Sequence, residues 1–317
     1  MKILIADKFP SHWTDVLTKQ GHDITFNPSL DETTLPAAIK DQEILIVRST
    51  KVPAAVIDAG NALKLIIRAG AGTNTIDVAH AATKNVAVCN CPGTNSIAVA
   101  ELAMGLLLAL DRRIYHNTRD LRAGVWNKGE YGKARGLFGR TLGIIGLGHI
   151  GREVAKRASA FGMKLVAYDP FAKEETFEAL KAERFTDIYA LAKVCDAVTI
   201  HLPETPETKG LFNQKFFEAM KAGAIFINAA RGGLVVTADL VEAVKTKGLK
   251  AGLDVYENEP KAADKTFDYA PFADAENIYG THHIGASTDQ AQDAVAECVV
   301  NIIGEYAASG KFLYKVN

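Results

Sequence analysis

Cysteine is scarce in this sequence and widely spaced. Four residues, Cys89, Cys91, Cys195 and Cys298, cannot make a disulfide framework in 317 residues. Cys89 and Cys91 are too close together for a usual zinc knuckle, and no histidine cluster lies beside them, so no metal site is expected. Four buried, reduced thiols are the plain reading, as in a cytoplasmic protein. A surplus of one charge is also missing. The formal net charge is −1, which offers no electrostatic footprint for nucleic acid or an anionic membrane. Arg231-Gly232-Gly233 stands alone after an apolar run, so it does not read as an RNA-binding segment. Long hydrophobic runs are absent too. The longest, 102–110, is about half a membrane span and follows Glu101. The apolar part of the first eight residues is too short for a signal peptide and reads as a first buried strand. Internal repeats and low-complexity segments are not evident.

What remains is a globular composition, 48% hydrophobic and 23% charged, in a chain long enough for two cores. Short apolar runs at 2–6, 23–26, 43–48, 63–68 and 86–89 alternate with segments that suit helices at 11–20, 35–40 and 54–60. That alternation predicts parallel βα units. The pattern at 96–119 predicts one long helix, and the glycine-rich stretch 120–140 a linker or an arm. Further strands are expected at 142–146, 164–168, 197–201, 224–229, 251–255 and 277–280, followed by a last helix at 287–310.

The stretch 141–170 carries the strongest chemical signal. An apolar strand runs into Gly146-Leu-Gly148-His149-Ile150-Gly151, then a helical pattern, then a second strand that ends in Asp169. Each part suits a dinucleotide: Gly146 a tight turn, Gly148 the approach of backbone to a pyrophosphate, Gly151 close packing of helix on strand. The helix start near His149 supplies unpaired N–H groups. Asp169 lies 18 residues beyond Gly151, about where a carboxylate takes the ribose hydroxyls. It would repel a 2′-phosphate, so NAD is expected over NADP. Because this fingerprint begins late, the prediction is an α/β protein of two doubly wound parallel-sheet domains. A Rossmann dinucleotide-binding domain (99–286) is inserted into a discontinuous flavodoxin-like substrate domain (1–98 plus 287–317).

Ligands of open α/β sheets sit beyond the carboxyl ends of the strands. Three polar groups fall there in the second half: Arg231, Glu259 before Pro260, and His283. Oxidation of a 2-hydroxy acid needs such a set. A histidine takes the hydroxyl proton near neutral pH. A carboxylate orients the ring and favours its charged form. An arginine clamps the substrate carboxylate. Each residue alone has a plainer reading, as a surface charge, a solvated loop residue or a satisfied histidine.

Taken together, the segments 143–151, 228–235, 253–260 and 283–288 resemble the D-isomer-specific 2-hydroxyacid dehydrogenases over nearly the whole length. The resemblance implies a catalytic set of Arg231, Glu259 and His283. It places Asp254 on the nicotinamide amide, Leu202, Pro203, Ala229 and Ala230 beside the nicotinamide, and His149 and Ile150 at the pyrophosphate. The segments 47–51, 68–72, 90–96 and 124–128 are most similar to members that oxidise 3-phosphoglycerate. Arg48, Arg68, Ala71 and Gly72 are therefore the expected substrate contacts, with the two arginines for a phosphate. The other reading pairs those arginines with local carboxylates such as Asp77.

His282 departs from the family, which usually has proline there. The sequence stops at Asn317, directly after the last helix, so the regulatory domain of longer members is not expected. The same chemistry on glyoxylate, hydroxypyruvate or D-lactate is the near alternative. A dinucleotide-sensing scaffold like the C-terminal-binding-protein corepressors is the distant one. The helix at 96–119 and the arm with Trp126 suggest a subunit interface, and the family implies a two-fold dimer; whether that dimer pairs further into a tetramer is not readable from the sequence.

Overall fold

The computed structural model describes residues 1–260 and 266–317. The chain divides into two units, one of Met1–Asn95 with Ser287–Asn317 and one of Ser96–Ala286. In the first unit, β1 (Lys2–Ile5), β2 (Asp23–Phe26), β3 (Ile44–Val47), β4 (Leu65–Arg68) and β5 (Ala87–Asn90) form a parallel sheet in the order β2-β1-β3-β4-β5. This is the flavodoxin-like order. β3 is buried at every residue because helices cover both faces. The pleat sends Ile3 and Ile5 into one core and Leu4 into the other. The first core is closed by Leu17 and by Val299, Val300, Ile302 and Ile303 of the helix Asp289–Ser309. The second segment of the unit thus completes the core of the first. The chain end also covers the β5 edge: Asn317 Oδ1 accepts from Val88 N at 2.9 Å, and Nδ2 donates to Val86 O at 2.8 Å.

The second unit holds β6 (Thr141–Ile145), β7 (Lys164–Tyr168), β8 (Glu183–Arg184), β9 (Ala197–Ile200), β10 (Ile225–Asn228), β11 (Lys250–Leu253) and β12 (Ile278–Gly280). Their order is β12-β11-β10-β9-β6-β7-β8, all parallel, so the strand order reverses beside β6. Six of these strands answer to the expected apolar runs. β8 does not, because its two residues are exposed and charged and leave no periodic signal.

The long helix expected at 96–119 is broken. Ser96–Arg112 and Ile114–Arg122 are separate helices, and Arg113 between them has a left-handed φ of 52°. Its guanidinium pairs with Glu130 at 2.6 Å and lies over the Tyr131 ring. The stretch after it is not only linker, since Lys128–Tyr131 forms a helical turn capped by Asn127. The apolar residues of Ser96–Arg112 are also mostly used at home: Ala103, Met104, Leu106, Leu107 and Leu110 are buried against the second unit's own sheet and helices. Apart from Ile97, the exposed apolar residues of this region lie further on, at Ile114, Tyr115, Leu121, Val125 and Trp126. Among the described residues, no helix is long and apolar enough to cross a membrane.

Candidate active site

The glycine turn follows β6 and opens the helix His149–Ala160. Gly146 has φ 98°, which disfavours any side chain, and a Cβ there would press on the His201 carbonyl. A Cβ on Gly151 would lie 2.0 Å from the Gly146 carbonyl oxygen, so only glycine lets helix and turn meet. Nothing lies within 4 Å of where a Gly148 Cβ would point, and no side chain caps the helix there. The open space at Gly148 and the uncapped helix start are what a pyrophosphate requires. Replacing Gly151 by Val should cost about 1–3 kcal/mol through overpacking and weaken dinucleotide binding at the same time. Thermal melting with and without NAD checks both effects.

Asp169 stands at the end of β7, as expected, and it also braces this turn. Its Oδ2 accepts from Leu147 N at 2.7 Å, while Oδ1 accepts from Phe171 N and Ala172 N. A carboxylate offers about four acceptor positions, so one remains for a ribose hydroxyl. Across the turn, Leu202 and Pro203 follow β9. His201 before them is held neutral, its pKa driven down to about 3 by burial, and its Nε2 meets Thr199 Oγ1 at 2.9 Å.

Three loops at the carboxyl ends of β10, β11 and β12 carry the remaining groups. Asn228, fully buried at the end of β10, shapes the first. Its Oδ1 accepts from Ala230 N at 3.0 Å, and its Nδ2 donates to Arg231 O at 2.9 Å. Ala229 and Ala230 are buried, while Arg231 is half-buried and donates from Nη1 to Ala230 O at 2.6 Å. Gly232 then lets this loop touch the next one, since a Cβ would fall 1.8 Å from the Tyr256 carbonyl oxygen.

In the second loop, Glu259 Oε1 accepts from Tyr256 N at 3.0 Å, and Glu259 Oε2 meets His283 Nδ1 at 2.7 Å. Tyr256 was not read from the sequence. Its hydroxyl donates to Thr281 O at 3.0 Å, with Leu253 O beside it at 3.3 Å, lacing the second loop to the third, and only a glycine at 280 leaves room for it.

His283 itself has a left-handed φ of 51°, a conformation that costs about 1–2 kcal/mol for a residue with a Cβ. Asp254, only 2% exposed, holds it there. Its backbone carbonyl accepts from His283 N at 2.8 Å. Its carboxylate accepts from Thr281 Oγ1, Ile284 N and Gly285 N at 2.6, 2.8 and 2.8 Å. In this structure Asp254 is therefore a brace for the histidine loop, a role the sequence reading did not contain.

Of the two neighbouring histidines, it is His283 that meets Glu259, and both line an aromatic cavity of about 720 Å³. The Glu259 hydrogen bond raises the His283 pKa above 6.5 against the effect of burial. Burial works hardest against the Glu259 charge, yet the His283 and Tyr256 hydrogen bonds with the nearby charges of His283 and Arg231 bring its pKa below the usual value.

The first unit presents the other expected contacts. Arg48 follows β3, and its Nη1 donates to Gln292 Oε1 at 3.2 Å. Arg68 ends β4 and lies against Gly70, where an added Cβ would meet its Nη1. The Ala71 carbonyl accepts from Asn90 Nδ2 at 2.6 Å, and Gly72 follows in the same loop. Asp77 is occupied as the cap of the helix Val78–Thr83, accepting from His80 N.

Against known proteins, residues 104–285 match the family described as D-isomer specific 2-hydroxyacid dehydrogenase, NAD binding domain. The chain belongs to this family. It is 41% identical over 305 residues to D-3-phosphoglycerate dehydrogenase of Methanocaldococcus jannaschii, covering 96% of this chain and 57% of that protein. The chain thus spans little more than half the length of that relative. It is 42% identical over 309 residues to hydroxypyruvate reductase of Thermotoga maritima, covering 94% of this chain and 98% of the relative. The crystal structure of NAD+-bound 3-phosphoglycerate dehydrogenase from Entamoeba histolytica superposes with a TM-score of 0.82 at 28% identity, over 100% of this chain and 98% of that one.

Proposed function

We propose that the chain is an NAD-dependent dehydrogenase of D-2-hydroxy acids that converts 3-phosphoglycerate to 3-phosphohydroxypyruvate, the first step toward serine. The observation that carries this reading is the His283–Glu259 pair at 2.7 Å, with the Arg231 loop beside it, on the sheet that also bears the glycine turn. Gly146, Gly148, His149, Ile150 and Gly151 hold the pyrophosphate, and Asp169 takes the ribose and disfavours NADP. Bound NAD supplies the acceptor for the two electrons that leave the hydroxyl-bearing carbon.

The remaining chemistry belongs to side chains. Because Nδ1 of His283 is committed to Glu259, Nε2 is the atom that takes the hydroxyl proton, and that returns it in the reverse direction. Glu259 keeps the ring oriented and stabilises the charge it gains. Arg231 binds the carboxylate and polarises the carbonyl as it forms. Arg48 and Arg68, at the carboxyl ends of neighbouring strands, bind the phosphate, with Ala71 and Gly72 offering backbone beside it.

A second reading, reduction of hydroxypyruvate, is favoured by the likeness to the Thermotoga protein over nearly its full length. Steady-state rates separate the two. Arg48→Ala and Arg68→Ala are each expected to raise KM for 3-phosphoglycerate by roughly tenfold or more, the size of one lost charge-assisted contact, and to leave KM for hydroxypyruvate nearly unchanged. Equal effects on both acids would favour the second reading. The exposed Ile114, Tyr115, Leu121, Val125 and Trp126 support a homodimer, and four free thiols suit a reducing, cytoplasmic setting.

A further inference from the structure

We propose that Cys298 and Cys91 are a redox-responsive thiol pair in the first unit, which a peroxide converts to a disulfide that weakens the acid site. Cys91 follows β5 and packs against the helix Asp289–Ser309, where its S–H reaches Val295 O at 3.7 Å. Cys298 stands three residues beyond Val295, on the same helix face. The two side chains meet in one core and interact there. Cys91 is fully buried, and Cys298 is partly exposed. The accessible sulfur is therefore the one a peroxide meets first, and the buried one is poised behind it. Contact with Cys91 lowers the Cys298 pKa, while contact with Cys298 and burial raise that of Cys91.

The chemistry balances with a peroxide, ROOH, as oxidant. The Cys298 thiolate attacks one peroxide oxygen, the O–O bond breaks, ROH leaves, and Cys298 becomes a sulfenic acid. The Cys91 sulfur then attacks Cys298 sulfur. The S–O bond breaks, the S–S bond forms, and water departs with the Cys91 proton. Two thiols and ROOH give a disulfide, ROH and water, with two electrons passing from sulfur to peroxide.

Drawing the sulfurs to a bond of ~2.0 Å pulls on both elements that seat the candidate phosphate arginines. On one side, Cys91 N donates to Gly70 O at 2.9 Å, and Gly70 underlies the Arg68 guanidinium. On the other, the same helix carries Gln292, which accepts from Arg48. The weakening of the site rests on the phosphate role proposed above for these arginines; the disulfide itself does not.

The test uses the full chain, reduced, then treated with hydrogen peroxide, alkylated, and digested without reduction for mass spectrometry. A peptide pair joining Cys91 to Cys298 is expected. It should be absent in Cys298→Ser, kept in Cys195→Ser, and reversed by dithiothreitol. KM for 3-phosphoglycerate should rise on the order of tenfold on oxidation, with NAD affinity unchanged. If Cys298→Ser folds poorly, Cys91→Ser serves instead and should leave Cys298 as a trappable sulfenic acid. A cross-link to Cys89, oxidation of Cys298 to sulfinic acid alone, or unreactive thiols would overturn the proposal. A cross-link without a change in KM would overturn its effect on the site. If no acid is turned over at all, the functional reading fails while the peptide map still decides the disulfide.

Discussion

His283→Ala should lower turnover by roughly 10²–10⁴-fold, the usual contribution of a positioned acid–base group, while NAD still binds. The side chain makes one described hydrogen bond, to Glu259, and is half exposed, so its loss leaves no buried void. Steady-state rates and titration with NAD by fluorescence separate the two effects. The pH profile carries the same claim further. With His283 as the proposed base, oxidation needs it neutral, and Glu259 raises the pKa of that ring above 6.5. kcat/KM for oxidation should therefore fall as pH drops through a value above 6.5, and reduction should fall as pH rises through it. Glu259→Gln removes the charge that stabilises the protonated ring, so the limb should move to lower pH and turnover should drop with the loss of ring orientation. An unmoved limb would show that another group titrates.

Arg231→Ala should be the second large loss, roughly a hundredfold or more in kcat/KM, as expected when two charge-assisted contacts to a carboxylate are removed. Arg231→Lys should recover little of it, because an ammonium cannot reproduce the planar fork. The loop itself should survive either change. Asn228 and Gly232 set its path, and the guanidinium adds only its bond to the neighbouring Ala230 O. Unchanged melting with a collapsed rate is the expected pair of results. A comparable loss of thermal stability would mean that Arg231 acts as a structural group.

Much of this architecture is legible before any coordinates, for identifiable reasons. Strands buried on both faces, such as Ile44–Val47, are unbroken apolar runs, and the alternation with helices implies parallel sheets. The glycine turn is readable because Gly146 and Gly151 are demanded by backbone conformation and close approach rather than by a distant partner. Other features depend on contacts remote in sequence. The break at Arg113 has no glycine or proline to announce it, and is held by Glu130 and Tyr131. Sequence spacing could not show that Asp254 braces the His283 loop, because that follows from the register of β11 on β12. Between two adjacent histidines the sequence favours His283 only through the Ile-Gly-Ala that follows it; the hydrogen bond to Glu259 sets it apart. The placement of Arg48 and Arg68 was the least legible element, since they stand at the ends of β3 and β4 through the pairing of those strands.

The central claim is the reaction. The most direct measurement is the appearance of NADH absorbance when purified protein is mixed with NAD and D-3-phosphoglycerate, beside D-glycerate, D-lactate and hydroxypyruvate with NADH, and with NADP in place of NAD. The account predicts turnover with NAD, a clear preference for the phosphorylated acid, and weak activity with NADP. Tight binding of NAD with no turnover of any 2-hydroxy or 2-oxo acid would contradict it.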